Sequence, residues 1–188
     1  GQVDTVTIDA CMVCHSTREM QRGPVLDGLP EWYLADQLKK FESGYRGKNP
    51  ANRAEALMGT AMAKVTSQAQ LEALARHFAA RKPKPFIRVV RGDIPAGRAH
   101  YATRCASCHG TKGEGKPEIQ SPPVNVQEDW FLLDQLRKYA NGQRTVHPSD
   151  AGGVMMKAAA AALSPDDLRS VVAYIAKDLT ITPPLQKV

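Results

Sequence analysis

Two copies of one five-residue motif, C-x-x-C-H, constrain this sequence more than any other feature. "CMVCH" occupies residues 11–15 and "CASCH" occupies residues 105–109, and together they use all four cysteines of the chain. Two thiols separated by two residues and followed at once by histidine form the attachment signature of c-type haem. In that chemistry the thiols bond to the porphyrin and the imidazole binds the iron. The sequence therefore predicts two covalently attached haem c groups, held by Cys11, Cys14 and His15 and by Cys105, Cys108 and His109.

Zinc and redox chemistry are the main alternatives for two C-x-x-C pairs. Four thiolates can form a tetrahedral zinc site, but zinc ribbons usually place their two pairs much closer together, and zinc gives no reason for a histidine after each pair. The second alternative is a thioredoxin-like redox site or a pair of structural disulfides, and redox folds need a βαβ setting that this sequence lacks. The haem interpretation is favoured because it explains both histidines.

Length and charge limit the possible function classes. The 188 residues suffice for one ordinary domain or two small ones, and a small domain gains stability from a large apolar group in its core. The formal net charge is +6, with 14 basic and 9 acidic residues in 1–92 and 11 basic and 10 acidic residues in 93–188. No Lys/Arg stripe or RNA-binding motif indicates nucleic acid. The asymmetry suits docking of the first half on an acidic surface of a redox protein partner, with ordinary solvated charge as the alternative.

Membrane and targeting signals are absent from these residues. No stretch approaches eighteen apolar residues, so we expect no membrane span here, and an anchor outside the sequence is compatible with this. The residues also contain no signal peptide. Because c-type attachment joins haem to the thiols outside the cytoplasm, we expect an exported bacterial protein located in the periplasm.

An internal repeat indicates the second ligand of each iron. At an offset of 98 residues, "EWYLADQLKKFESGYR" (31–46) aligns with "DWFLLDQLRKYANGQR" (129–144). At the same offset Met58 aligns with Met156, whereas Met62 and Met155 align with residues other than methionine. Haem iron already bound by histidine commonly takes methionine as its second axial ligand. We therefore expect Met58 and Met156 to be ligands, with filling of the core as the alternative role.

Each copy is predicted to end in an amphipathic helix. In the first copy, Thr66 or Ser67 precedes a stripe formed by Leu71, Leu74, Ala75 and Phe78. In the second copy, Ser164 and Pro165 have the residue types that begin helices, and an apolar stripe follows at Leu168, Val171, Val172, Ile175 and Leu179. Two prolines in "RKPKPF" (81–86) favour an extended path. The predicted division is a domain at 1–81, a linker at 82–92 and a domain at 93–188.

These features resemble tandem class I cytochromes c, most closely the two-haem family called cytochrome c-four. The resemblance depends on CMVCH, CASCH, the W-[YF]-L-x-x-Q-L segments, the G-x-R that follows them and the two aligned methionines, and it covers nearly the whole chain. It implies an all-α fold in which each half is a small helical bundle around one haem. It also implies a periplasmic electron carrier that serves a terminal oxidase or another reductase.

The resemblance assigns further residues and also shows one departure. It suggests that the carbonyls of Pro24 and Pro122 accept the Nδ1–H of the two histidines, with ordinary loop prolines as the alternative. Arg46 and Arg144 are candidates for pairing with haem propionates, and solvated surface arginine is the alternative. The departure is "GQVDTVTIDA" before the first motif, which is rich in β-branched residues and predicts a poor helix.

The ligands of the iron determine the predicted function. An iron closed by histidine and methionine has no vacant position, so it exchanges electrons but does not readily bind peroxide or substrate. Methionine ligation favours the ferrous state, which predicts positive potentials. We therefore expect an electron-transfer protein rather than an enzyme. The alternatives are a haem enzyme with one open or unusual ligand, such as a di-haem peroxidase or thiosulfate dehydrogenase, and a gas-sensing or structural module, which would be expected to carry a signalling domain.

Overall fold

The computed structural model describes residues 4–16, 23–144 and 147–185, and it is dominated by helices. The described ranges contain no β-strand, and their single β-type pairing is an isolated bridge between Lys116 and Ser121. The chain divides into two compact units, Gly1–Lys84 and Pro85–Val188. The all-α fold class predicted from the sequence is confirmed.

The described part of the first unit contains four α-helices, with a 3-10 turn at Met62–Lys64 after the third. They are α1 (Thr5–His15), α2 (Glu31–Glu42), α3 (Arg53–Ala61) and α4 (Gln68–Ala79). The Ser67 side chain begins α4 by accepting a hydrogen bond from the Gln70 N–H. The apolar stripe of α4 is buried as predicted, at Leu71, Leu74, Ala75 and Phe78. Leu71 packs with Phe41 of α2 and Met62 in the core.

The described part of the second unit contains five α-helices, a 3-10 turn at Pro117–Ile119 and a final π-helical turn at Ile175–Leu179. The α-helices are α5 (Ile94–Arg104), α6 (Ala106–His109), α7 (Asp129–Asn141), α8 (Ala151–Ala161) and α9 (Pro165–Tyr174). Ser164 begins α9 by accepting a hydrogen bond from the Asp167 N–H, which confirms the predicted cap. The face of α9 with Leu168, Val171 and Val172 is buried, and Ile175 continues it.

Helices α5 and α9 pack unusually closely. A Cβ atom added at Gly97 of α5 would lie 1.9 Å from the carbonyl oxygen of Ser170 on α9. A distance of 1.9 Å is far shorter than van der Waals contact, so only glycine, which has no Cβ atom, fits at this position. In the second unit, α9 therefore packs against the segment that leads into the cysteine motif.

Helix α1 differs from the expectation for the residues before the first motif. Thr5, Val6, Thr7 and Ile8 are all β-branched, yet the chain is helical from Thr5 through His15. Asp4 provides the physical reason, since its side chain accepts a hydrogen bond from the Val6 N–H and so satisfies one of the free donors of the first turn. The predicted weakness of this helix is wrong for the structure, because a local cap outweighs the modest penalty of β-branched residues.

The segment predicted as a linker contains no helix or strand, and each of its two ends packs on its own unit. Arg81 and Lys84 form ion pairs with the buried Asp27 at 3.2 and 3.1 Å, so this end of the segment packs on the first unit. On the other side, the Asp129 carboxylate accepts hydrogen bonds from the N–H groups of Val89 and Val90 at 2.7 and 2.9 Å. Residues 82–84 thus pack with the first unit and residues 85–92 with the second.

This division also changes the distribution of charge. Residues 1–84 carry 12 basic and 9 acidic groups, which gives +3, and residues 85–188 carry 13 and 10, which also gives +3. The excess of positive charge that the sequence placed in the first half comes from Arg88 and Arg91, which belong to the second unit. Among the described residues, no helix is both long and apolar enough to span a bilayer.

Candidate functional site

In the second unit, the junction of α5 and α6 brings a thiol and an imidazole together. Cys105 lies between the two helices, and its N–H donates to the Tyr101 carbonyl at 2.9 Å. The His109 N–H in turn donates to the Cys105 carbonyl at 2.9 Å, so the two residues are one helical turn apart. Side chains four residues apart lie on the same helical face. Cys105 and His109 are therefore directed to one side of this segment.

The His109 ring is fixed by the loop that follows it. His109 is buried, and its Nδ1 lies 2.7 Å from the Pro122 carbonyl oxygen and 3.2 Å from Ser121 Oγ. Burial lowers the pKa of this imidazole, and the hydrogen bond to Pro122 opposes the shift, so the neutral form is favoured. A neutral imidazole with Nδ1 engaged by oxygen presents Nε2 for binding a metal.

The first unit repeats the hydrogen bond to proline. Cys11, Cys14 and His15 are on the last turns of α1, and His15 Nδ1 lies 2.6 Å from the Pro24 carbonyl oxygen. Burial lowers the pKa of His15 as well. Residues 17–22 of the intervening loop lie outside the described ranges. The structure thus contains, in both units, the histidine–proline hydrogen bond that the resemblance suggested.

The four cysteines are free thiols rather than two disulfides. Burial raises the pKa of Cys11 and raises that of Cys105 to about 11, so both sulfurs are protonated at neutral pH. A zinc site of this kind needs several cysteine or histidine ligands in one place. Within the described ranges no three His, Cys, Asp or Glu side chains converge in that way. These features do not fit zinc, whereas adjacent free thiols and a fixed histidine fit a covalently attached haem.

The candidate methionines have different environments. Met58 on α3 and Met156 on α8 are both half-buried, and Met58 packs against the cluster of Phe41, Met62 and Leu71. Met62 is 6% exposed and is part of that cluster, whereas Met155 is 63% exposed. Burial therefore distinguishes the other two methionines from the aligned pair, since Met62 is enclosed in the core and Met155 faces solvent. Ligation by Met58 and Met156 stays a prediction.

Arg46 and Arg144 are buried, which excludes solvated surface arginine for both. The Arg46 guanidinium donates to Glu55 at 2.5 Å and to Gln37 at 2.7 Å, and it lies 4.4 Å from the centre of the Phe41 ring. Arg144 donates to Gln135 at 3.0 Å and lies 4.2 Å from the centre of the Tyr139 ring. Both arginines have protein partners, and pairing with propionates stays a prediction.

Three buried side-chain donors in the second unit have no acceptor among the described residues: Arg88 Nε, Thr182 Oγ1 and the indole Nε1–H of Trp130. Trp130 lies near the start of α7. Leu132, two residues later, packs in the same cluster as Cys105. Because buried donors are nearly always paired, an acceptor on a bound group would pair with the Trp130 indole N–H. The carboxylate of a haem is such an acceptor, so this donor also fits the predicted group.

Two residues of the sites were missed in the sequence. Glu55, the partner of Arg46, aligns with Gly153 at the offset of 98, and Ser121, which contacts His109, aligns with Gly23. Both are positions where the copies differ. A search for shared residues finds ligands, but it passes over residues that act in only one copy.

Comparison with known proteins gives a consistent result. The family model for cytochrome c matches the chain twice, at residues 4–79 and 94–177. Cytochrome c4 of Azotobacter vinelandii is 27% identical over 187 residues, which cover 93% of this chain and 86% of that protein. The thiosulfate dehydrogenase electron acceptor of Thiomonas intermedia is 32% identical over 154 residues, covering 74% of this chain and 66% of that protein.

A solved structure with the same fold is cytochrome c4 of Acidithiobacillus ferrooxidans. It superposes with a TM-score of 0.70 at 24% identity, covering 89% of this chain and 98% of that one. The two chains therefore share one fold over nearly their whole lengths.

Proposed function

We propose that this chain, which belongs to the cytochrome c family and carries two covalently attached haem c groups, transfers electrons one at a time between a respiratory donor and a terminal oxidase or another reductase in the bacterial periplasm. It is a di-haem electron carrier of the cytochrome c4 type. We propose in addition the compartment in which it acts and the class of its electron donor and acceptor.

The duplicated ligand set is the observation that supports this function. In each unit a proline carbonyl fixes the histidine through Nδ1, which leaves Nε2 for the iron, and an aligned methionine is available on a separate helix. Haem iron supplies reversible one-electron chemistry. The residues of the chain hold the imidazole neutral and oriented and, with Met58 and Met156 as ligands, leave no position for substrate. Such a site transfers electrons without binding the molecule that is reduced.

A haem enzyme with an unusual iron ligand is less well supported. All four cysteines belong to the two attachment motifs, so the sequence has no further cysteine to replace methionine on either iron. The relative from Thiomonas is named as the electron acceptor of a thiosulfate dehydrogenase. That name agrees with a carrier that receives electrons from an enzyme.

The expected partners are redox proteins with an acidic docking surface. Both units have a formal charge of +3 before the haem propionates are counted. Complementary charge accelerates encounter between proteins and contributes less to the lifetime of the complex, which suits a carrier that must leave its partner quickly. We extend the docking surface predicted for the first half to both units, because the charge is equal.

Replacement of single methionines tests the function. Met58→Ala and Met156→Ala are each expected to abolish the far-red Met–Fe charge-transfer band of one ferric haem and to lower its potential, leaving the other haem unchanged. The same variants should make one iron able to bind cyanide rapidly. The measurements are the ferric absorption spectrum, a redox titration and the rate of cyanide binding.

Met62→Ala and Met155→Ala are the matched controls. They are expected to retain both charge-transfer bands, although Met62→Ala loses core packing of about 2–5 kcal/mol. Loss of a band in either control would show that the wrong methionine was assigned. High-spin features or rapid cyanide binding in the unmodified protein would favour the enzyme instead.

A further inference from the structure

The two haem-binding histidines differ in the number of oxygen atoms around Nδ1. His109 Nδ1 has two neighbours, the Pro122 carbonyl oxygen at 2.7 Å and Ser121 Oγ at 3.2 Å. His15 Nδ1 has the Pro24 carbonyl oxygen at 2.6 Å. The residue that aligns with Ser121 is Gly23, which has no side chain to offer.

The backbone at Gly23 passes close to the His15 ring. A Cβ atom added at Gly23 would lie 3.1 Å from His15 Nδ1, 3.1 Å from His15 Cε1 and 3.2 Å from the Cys14 carbonyl oxygen, so a side chain fits there only if these neighbours shift by a few tenths of an ångström. The chain thus passes close to the histidine ring at the aligned position of both units. A hydroxyl on that Cβ would be within reach of Nδ1, as it is in the second unit.

Ser121 is held firmly in its position. It is 7% exposed, its N–H donates to the Lys116 carbonyl at 3.1 Å, and its carbonyl accepts from the Lys116 N–H at 2.8 Å. These two bonds close the loop between the motif and Pro122, where the second copy has four residues more than the first. At Gly115 an added Cβ would lie 2.8 Å from the Ser121 carbonyl oxygen, so the loop around Gly115 is packed tightly against Ser121. The hydroxyl therefore has little freedom to leave the imidazole.

The chemistry of the imidazole ring decides whether the Ser121 hydroxyl raises or lowers the haem potential. When a neutral histidine binds iron through Nε2, Nδ1 carries the hydrogen, so both neighbouring oxygens act as acceptors. A second acceptor draws the Nδ1–H further from the ring and makes the imidazole a stronger electron donor to the metal. A stronger donor stabilises the ferric state relative to the ferrous state and lowers the potential.

We propose that Ser121 is a positioning residue for the second haem, which holds the His109 ring and lowers the potential of that haem through a second hydrogen bond to Nδ1 that no described residue makes to His15 in the first unit. The inference rests on the proposed binding of iron by His109 Nε2. It adds to the carrier function a cause for unequal potentials in two sites with the same ligands.

Exchange of the two aligned residues is the experiment. Ser121→Ala is expected to raise the potential of the second haem, with about a threefold change in its ratio of reduced to oxidised iron at a fixed potential, as for the loss of one ordinary hydrogen bond. At 59 mV for each tenfold change this is about 28 mV. Gly23→Ser is expected to lower the potential of the first haem by a similar amount. A redox titration of the holoprotein with both haems resolved measures both shifts.

Three further variants separate the hydroxyl from packing. Gly23→Ala adds the same Cβ without the oxygen and, in contrast to Gly23→Ser, should leave the potential of the first haem as it is in the unmodified protein. Ser121→Thr retains the hydroxyl and should keep the potential of the second haem, whereas Ser121→Gly should behave like Ser121→Ala. Proton NMR of the ferric protein adds a spectroscopic readout, since the His109 Nδ1–H should exchange with deuterium faster in Ser121→Ala.

The outcomes distinguish this inference from the proposed function. If Ser121→Ala leaves the potential and the exchange of the Nδ1 proton unchanged while both Met–Fe bands persist, the inference is wrong and the carrier function stands. If the unmodified protein shows no hyperfine-shifted Nδ1 proton for His109, the ligand assignment itself fails. Equal shifts from Gly23→Ala and Gly23→Ser would also overturn the inference, because packing alone would explain them.

Discussion

The helix that carries the attachment motif is anchored differently in the two units. In the second, Tyr101 is 2% exposed and its hydroxyl donates to the Gly110 carbonyl at 2.6 Å, just after the motif. In the first, the residue at the corresponding distance from the motif is Thr7, whose hydroxyl accepts from Gln70 of α4 at 3.1 Å. A buried aromatic ring contributes far more apolar area than a threonine. The same motif is thus held by packing in one unit and by a small polar contact in the other.

The arginines extend this comparison to the core. Arg46 belongs to a buried network in which Glu55 also accepts from the side chain of Asn52, and Asn52 begins α3 by accepting from the Glu55 N–H. In the second unit Gly153 occupies the position of Glu55. The first unit therefore orders its methionine-bearing helix with a buried ion pair that has no aligned carboxylate in the second.

The largest expected difference comes from Glu55→Ala. The variant leaves the buried Arg46 guanidinium without its carboxylate, which typically costs about 3–5 kcal/mol. We expect unfolding of the first unit at lower denaturant concentration, followed at its own haem absorption, while the second unit keeps its midpoint. Glu42→Ala, at an exposed position of α2, is the control and should change stability by less than about 0.5 kcal/mol. Equal effects from the two variants would show that the ion pair does not organise this unit.

Gly97→Ala is expected to lower the stability of the second unit by a slightly smaller amount. The new methyl group cannot fit beside the Ser170 carbonyl, so α5 and α9 must move apart at a cost of about 3 kcal/mol. Thermal unfolding of the second haem domain measures it. Gly152→Ala on α8 places its Cβ at an ordinary van der Waals distance, 3.9 Å, from Asp150 Oδ1 and should stabilise the same unit by about 0.5–1 kcal/mol. A tolerated Gly97→Ala would mean that the two helices are not fixed at this crossing.

Tyr101→Phe tests the two modes of anchoring directly. It removes one buried hydrogen bond and leaves the Gly110 carbonyl without its donor, which costs about 1–2 kcal/mol. Burial raises the pKa of the Tyr101 hydroxyl well above its ordinary value, so it acts as a donor across the physiological pH range. Thr7→Val should cost less, because half-exposed Gln70 can turn to water. Denaturant unfolding of each variant gives the order, and a larger loss for Thr7→Val would reverse the comparison.

The smallest expected effect concerns docking. Lys64 and Lys157 are both exposed, and each lies on or just after the helix that carries the aligned methionine of its unit. Because the units have equal formal charge, Lys64→Glu and Lys157→Glu should each slow reduction of an acidic blue copper protein by about two- to threefold at low salt. Stopped-flow rates should converge as salt rises, since exposed charges are screened beyond about 8 Å at physiological ionic strength. A rate that responds to Lys64 alone would restore the first unit as the docking surface.

The sequence predicted the parts of the molecule that repeat. The spacing of cysteine and histidine determines covalent attachment, and the helical period of the apolar residues in α4 and α9 determines which faces are buried. The capping residues Ser67 and Ser164 act locally, so they are visible without tertiary structure. These features depend on residues close together in the chain.

Other features depend on particular side-chain contacts, some of them local, and the sequence did not reveal them. The β-branched start of α1 is helical because of Asp4, and the buried state of Arg46 depends on Glu55 and Phe41. The charge asymmetry was inferred from a boundary near residue 92, and it disappears when Arg88 and Arg91 are assigned to the unit on which their segment packs. Packing decides where one unit ends, and composition alone does not contain that information.

The ion pairs of Asp27 have a practical consequence for anyone who wishes to separate the two halves genetically. A fragment that stops at residue 81, where the prolines suggest the cut, would leave Asp27 with Arg81 at its very terminus and without Lys84. A fragment that stops after Lys84 keeps both cations on the buried carboxylate. The second fragment should then begin at Pro85, so that Phe86, which is 3% exposed, retains its place in the core of that half. Moving the boundary by three residues, from 81 to 84, thus decides whether each isolated half keeps its buried contacts.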